Sequence, residues 1–257
     1  MMKKLFGFIL ISSLLTVGCF NFYNFPDTPS IKFKDIAFKN FNNTADSLII
    51  TIGFQDGDGD LGLSSNEIQT PYHDKNYYIF DEVTKKIATI PSDTTNFDYI
   101  RYSNKRITYH HKRIYPELDT LPPFTHPYTC TNWYVPINNQ GSPIDTFYYQ
   151  LNKNYYNILI DYYVETTTGV FEKFDWRTDI SNVQCGDTHD GRFPRMLPNG
   201  TIKAIEGSII YRMGSVGFEP LFSIKRLKLK IQIFDRQLHE SNIIETPPFT
   251  LSEITVK

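Results

Sequence analysis

The chain has 257 residues, enough for one large domain or two small ones. Its formal charge of −2 leaves no basic footprint for nucleic acid. It carries 17 Tyr and 20 Phe, is poor in Ala and Leu, and has no long amphipathic helical pattern, which argues against a helical bundle.

Met1-Met2-Lys3-Lys4 is a short basic start, residues 5–17 are an almost uncharged apolar run, and Gly18-Cys19 follows. This pattern predicts a secretory signal peptide over residues 1–18, too short to span a membrane as an ordinary helix. The stretch Leu14-Leu15-Thr16-Val17-Gly18-Cys19 resembles a bacterial lipoprotein processing site, with Thr16 where Leu is usual. The resemblance implies that Cys19 becomes the lipidated first residue of the mature protein. Residues 19–29 then form a lipidated tether, aromatic and Pro-ended in Phe20-Asn21-Phe22-Tyr23-Asn24-Phe25-Pro26. Many surface-displayed lipoproteins of the Bacteroidota carry acidic residues just after this Cys. They are missing here, so the cell surface and the periplasmic face both stay open. Cys130 and Cys185 remain, and in an oxidising compartment they pair most simply as one disulfide. Such a bond would add roughly 4 kcal/mol in the chain-entropy account. Two free thiols are the alternative.

Alternating or β-branched runs predict strands at 31–38, 48–54, 77–80, 86–90, 106–113, 155–165, 170–174, 201–212, 227–234 and 249–256. Leu227-Lys228-Leu229-Lys230-Ile231-Gln232-Ile233 puts Leu and Ile on one face and Lys and Gln on the other. The expected fold is an all-β sandwich, immunoglobulin-like in its last third, over a single domain at 30–257. In that reading the runs at 205–211 and 227–233 pair as neighbours, and the two earliest runs join the same core. Proline-rich or unpatterned stretches predict long loop insertions around 64–150 and 181–200. Long loops on a rigid scaffold are where binding usually sits.

One motif stands out. Gln55-Asp56-Gly57-Asp58-Gly59-Asp60-Leu61-Gly62 places three carboxylates at every second position after a strand-like run. The glycines let the backbone bend tightly enough to aim alternate side chains at one point. Two like charges about 4 Å apart near a surface repel by roughly 4 kcal/mol, so the cluster calls for a cation. Oxygen-only ligands select Ca2+ over zinc or copper. A solvated acidic turn with splayed carboxylates is the competing reading. The loop is similar to an EF-hand calcium loop, with Asp56, Asp58 and Asp60 at positions one, three and five and Glu67 at twelve. It departs from it at position six, which is Leu61, and in following a strand where an EF-hand has a helix. Glu67 is therefore the weakest of the four candidate ligands. Asp235, in a turn after a late strand, is a possible further ligand if it reaches the same end of the sandwich.

Signatures of hydrolases are missing: there is no GxSxG elbow and no HExxH helix. His110 and His111, adjacent in a strand-like run, point to opposite faces and cannot easily share a metal. Asp175 and Asp179 flank Trp176, a weak suggestion of a glycosidase acid pair. The segment Asp187-Thr188-His189-Asp190-Gly191 reads as a polar turn. No catalytic residue is assigned. Tyr77-Tyr78, Tyr148-Tyr149, Tyr155-Tyr156, Tyr162-Tyr163, Trp133-Tyr134 and Trp176 offer possible stacking platforms for sugar rings, although an adjacent pair in a strand sends one ring inward. Asp46-Ser47-Leu48, Asp93-Thr94-Thr95 and Asp119-Thr120-Leu121 resemble acceptor tripeptides for O-linked glycans.

The lipoprotein start, the DGDGDLG loop and the closing Phe234-Asp235-Arg236, Ser241-Asn242 and Glu245-Thr246-Pro247 segments together resemble a family of Bacteroidota outer-membrane lipoproteins. The resemblance covers both ends of the mature chain well and the middle poorly. It implies an Ig-like sandwich, an outer-membrane location through the lipid anchor, and no agreed activity. The expected function is a non-catalytic, Ca2+-stabilised accessory subunit that binds a protein complex of barrel assembly, secretion or uptake. The alternative is a glycan-binding lipoprotein of a polysaccharide uptake system.

Overall fold

The computed structural model describes residues 25–41, 45–93, 106–121, 133–134, 139–141, 146–176, 179 and 188–256. Cys19, Cys130, Cys185, the signal segment and most of the tether lie outside the described residues. In chain order the elements are β1 (Ser30–Lys39), β2 (Asp46–Asp56), β3 (Lys75–Asp81), β4 (Lys86–Pro91), α1 (Tyr109–Ile114), β5 (Trp133–Tyr134), β6 (Phe147–Leu151), β7 (Ile158–Glu165), β8 (Phe171–Phe174), β9 (Ile205–Ser215), α2 (Phe218–Phe222), β10 (Leu227–Ile233) and β11 (Ile244–Glu245).

β2 is the spine of the first sheet. Leu48, Ile50, Ile52 and Phe54 alternate inward, and Ser47, Thr51 and Gln55 alternate outward. It pairs antiparallel with β1 on one side and with β9 on the other. The second sheet has the order β11-β10-β7-β8 and is also antiparallel throughout. Between the two lie Leu48, Ile50, Ile52, Ile158, Ile160, Tyr162, Leu229 and Ile231, all in one buried cluster. Each such side chain contributes roughly 2 kcal/mol by leaving water. A one-residue slip would turn a whole row to solvent, so this packing fixes the register. The fold is thus an all-β sandwich, three strands on four.

The expected pairing of the 205–211 and 227–233 runs does not occur. β9 joins β2 in the first sheet, and β10 joins β7 in the second. The connection between them carries α2, whose Phe218 and Phe222 are fully buried against the Tyr162 and Trp176 rings. That plug of aromatics makes the chain cross from one sheet to the other.

Two other expected strands fold differently. The 106–113 run becomes α1, because Thr108 accepts from the His111 amide at 3.2 Å and the His111 ring accepts from the Thr108 amide. This is a capping box with His in the Glu position. The 249–256 run makes only a bridge at Phe249 and then a 3-10 turn at Ser252–Ile254. Thr250 and Glu253 exchange backbone–side-chain hydrogen bonds there, a second capping box that outweighs strand pattern.

The middle region, expected as loop insertions carrying strands at 77–80 and 86–90, is in part a folded lobe: those two runs are β3 and β4. β4-β3-β6-β5 form a third sheet between β2 and β7 in the chain. Phe80, Ile107, Leu118, Trp133 and Tyr148 make its own small core.

Candidate metal centre

β2 carries its inward alternation one step past Phe54, so Asp56 points where a core residue would. It is fully buried, and neither of its carboxylate oxygens has a hydrogen-bond partner. One oxygen each from Asp56, Asp58 and Asp60 lie within 4.8 Å of one another. Two ligands on opposite sides of a Ca2+ ion at about 2.4 Å are separated by about that distance. Oδ1 of Asp60 is also buried and unpartnered. An orphaned buried carboxylate costs several kcal/mol unless it is protonated or meets a cation. The residues therefore fit a hard, oxygen-seeking ion.

The electrostatics agree. Burial, then the charges of Asp58, Asp60 and Asp235, push Asp56 up from 3.8 to about 7. The Gly59 amide offsets part of this without closing a hydrogen bond to either oxygen. Burial, then Asp235 and Asp58, raise Asp60 to about 6. Asp58 is better satisfied: Oδ1 accepts from the Asp60 amide at 3.3 Å, and Oδ2 from Gln237 Nε2 at 2.5 Å.

The loop glycines answer a packing demand. Gly59 and Gly62 have φ of +75° and +97°, and an added Cβ would overlap the Lys203 and Pro194 carbonyl oxygens respectively. This explains the departure from the EF-hand pattern: the glycine at Gly62 serves the passage beside Pro194. Gly62→Ala is expected to destabilise the protein by about 3 kcal/mol. A urea midpoint unchanged from wild type would contradict this.

Asp235 does reach this end of the sandwich, through a bridge between Leu61 and Asp235. Its carboxylate is nonetheless held by His239, accepting from the amide at 2.8 Å and meeting Nδ1 at 2.7 Å. It is outside the three-aspartate cluster and acts on it as a charge.

Glu67 is also outside the cluster. It accepts from Arg195 with both oxygens, from the Ser64 amide at 2.7 Å, and lies 3.1 Å from Arg236. The Arg195 hydrogen bonds hold it down at about 2. Sequence spacing alone suggested a ligand; the two arginines claim it because the 192–196 and 235–239 segments fold back over the loop. Its stabilisation is present above about 4.5 and is lost as pH falls to about 2. Glu67→Gln is expected to cost about 3 kcal/mol above pH 5 and to speed tryptic cleavage in the inserted lobe. Cleavage at the wild-type rate would count against this.

The cluster is a crossing point. Gly57 N donates to Pro26 O at 2.9 Å, Lys203 N to Asp58 O at 2.9 Å, and Met196 N to Leu61 O at 3.1 Å. Arg236 links Glu67 by its side chain and the Tyr72 hydroxyl by its carbonyl. Residue 26, the stem of the lobe, the 192–203 segment and the turn after β10 thus all meet within a residue or two of the acidic loop.

The other candidate groups serve the fold. His110 and His111 lie on α1, and the Asp179 carboxylate accepts from the Asp175 amide at 2.7 Å. Asp190 Oδ1 accepts from Ile160 N at 2.8 Å, which ties the 188–191 segment to β7. Trp133, Trp176, Tyr77, Tyr148, Tyr149 and Tyr162 are buried. A cavity of about 420 Å3 on the outer face of the first sheet is lined by Lys32, Lys34, Gln55 and Glu206. Unlike the acidic loop, it encloses no buried unpartnered group among the described residues. Comparison with protein-family models, curated proteins and solved structures finds no match.

Proposed function

We propose that this protein is a non-catalytic, lipid-anchored envelope protein in which Ca2+ stabilises one end of an immunoglobulin-like sandwich and the inserted lobe binds a protein partner. The observation that carries the calcium reading is Asp56, fully buried with two unpartnered oxygens beside Asp58 and Asp60. Bound there, the ion would neutralise the carboxylates, and its binding free energy would add to the folded state by mass action. The strand order β1-β2-β9 against β11-β10-β7-β8 supports the immunoglobulin-like frame.

The anchoring part rests on the sequence start, with Cys19 lipidated and Cys130 paired to Cys185. The Pro26 carbonyl accepts from Gly57 N, which supports a tether that would start beside the proposed metal end. A partner among outer-membrane assembly, secretion or uptake complexes fits a lobe that has its own core and hangs from that end. The glycan alternative has less support, because Tyr77, Trp133, Tyr148, Tyr149, Tyr162 and Trp176 are buried and Tyr78, Tyr155, Tyr156 and Tyr163 are half-buried.

Scanning calorimetry in millimolar Ca2+ and in chelator tests the metal. Ca2+ at about a hundred times its dissociation constant should stabilise the protein by about 2.7 kcal/mol. Identical melting in both buffers would overturn it. Affinity purification of the tagged protein from native membranes tests the partner, with an outer-membrane barrel as the expected co-purifying species.

A further inference from the structure

Every open sheet has two edges, and proteins normally blunt them. Most edges here are blunted. β1 is broken by a bulge between Phe33 and Asp35, carries Lys32, Lys34 and Lys39, and receives Val256 N on Phe38 O. β8 has four residues, and β11 and β5 have two each. β4 has six, with Lys86 at its start and Pro91 at its end. β9 is different. It runs for 11 residues, keeps an unbroken register with β2, contains no proline, and ends its sheet. Ile210 on its outer face is 63 % exposed. Arg212 on the same face makes no ion pair or hydrogen bond among the described residues.

We infer that β9 is a self-pairing edge, through which two copies of this chain join their three-stranded sheets into one six-stranded sheet. The sequence of β9 is self-complementary about Ile209. In antiparallel pairing centred there, Glu206 of each copy faces Arg212 of the other, so two opposite-charge pairs form on the outer face. On that face Ser208 faces Ile210. On the inner face Gly207 faces Tyr211, a residue without a side chain against a large ring, and Ile205 faces Met213. A shift of the centre by one residue sets Arg212 against Ser208 and Glu206 against Gly214, and both charge pairs are lost. The contact is isologous, as a two-fold dimer requires, and it closes, because each copy uses the one long open edge among its described residues. The inference rests on the sandwich and not on the calcium reading.

Sedimentation equilibrium of the full-length protein in density-matched detergent, with Ca2+ present, tests it. A monomer–dimer equilibrium is expected. Glu206→Arg and Arg212→Glu should each weaken the dimer at least tenfold, because like charges then face each other twice. The double exchange E206R/R212E should restore it. Circular dichroism confirms folding of all three variants, whose changed side chains are exposed. A wild type that stays monomeric up to about 100 μM overturns the inference, leaving a foreign strand as the occupant of the edge. So does a dimer that neither single reversal weakens.

Discussion

Asp56→Asn should stabilise the chelated protein and destabilise the calcium-loaded one. The opposite signs come from one buried group. Without an ion, an ionised Asp56 is held in a site that raises it from 3.8 to about 7. Each pH unit of such displacement is about 1.4 kcal/mol, so the charge costs about 4 kcal/mol at pH 8. Asn removes the charge and its repulsion from Asp58, Asp60 and Asp235. Its amide is still buried without an evident partner, which takes back about 2 kcal/mol. The net gain of about 2 kcal/mol should raise Tm by about 4–8 °C in chelator. With Ca2+ present the order reverses, because the wild type gains the binding free energy and the variant loses a central ligand. Calorimetry of both proteins in both buffers at pH 8 reads the crossing. A variant that melts below wild type in both buffers would mean that Asp56 is satisfied by the protein alone.

The strands and the acidic loop were legible because both are local. Alternation in 48–54 and 227–233 states which face is buried, and the loop announces itself by three carboxylates in five residues. What sequence could not supply was which strands share a sheet. β9 and β10 have equally clear patterns, and their separation depends on Phe218 and Phe222 plugging the crossing between sheets. Capping chemistry was readable but was outweighed by pattern. Thr250-Leu251-Ser252-Glu253 is a capping box on its face, and it breaks what looked like a last strand. Glu67 shows the limit of motif spacing. Its distance from Asp56 along the chain fits a ligand, but two arginines more than a hundred residues away reach it first. The converse holds for Asp235, whose arrival beside the loop needed the β10 turn and the Leu61 bridge to be seen in space.

If the proposed ion binds, that convergence would give it a mechanical role beyond charge balance. Asp58 and Leu61 hold the 196–203 segment through backbone bonds, and Gly57 holds Pro26. Arg236, next to Asp235, holds the lobe stem through Glu67. Carboxylates that repel would spread the loop and loosen all of these at once. Neutralised by a cation, the same loop would fix the lobe relative to residue 26, and under the proposed lipid anchoring a partner surface would then sit at a set angle to the membrane.

The pH dependence of stability should therefore invert with calcium. In chelator the folded protein keeps a proton on Asp56 up to about 7, whereas the unfolded chain releases it near 3.8. Between those values the native state binds more protons, so stability falls as pH rises, by about 4 kcal/mol from this group alone. Asp60, raised to about 6, acts in the same direction. So does His239, whose Asp235 partner raises it and whose contribution is lost as pH climbs past its folded value. Glu67 opposes them only at low pH, where stability rises between about 2 and 4.5. The chelated protein should thus be most stable near pH 4 to 5. With Ca2+ the sign changes, because a proton on Asp56 competes with the ion and the site fills as pH rises toward 7. Urea midpoints across pH 4 to 8 should fall in chelator and rise in millimolar Ca2+. Parallel curves in the two buffers would separate the acidic loop from metal altogether, and a chelated curve that climbs from pH 5 to 7 would mean that Asp56 is ionised at little cost.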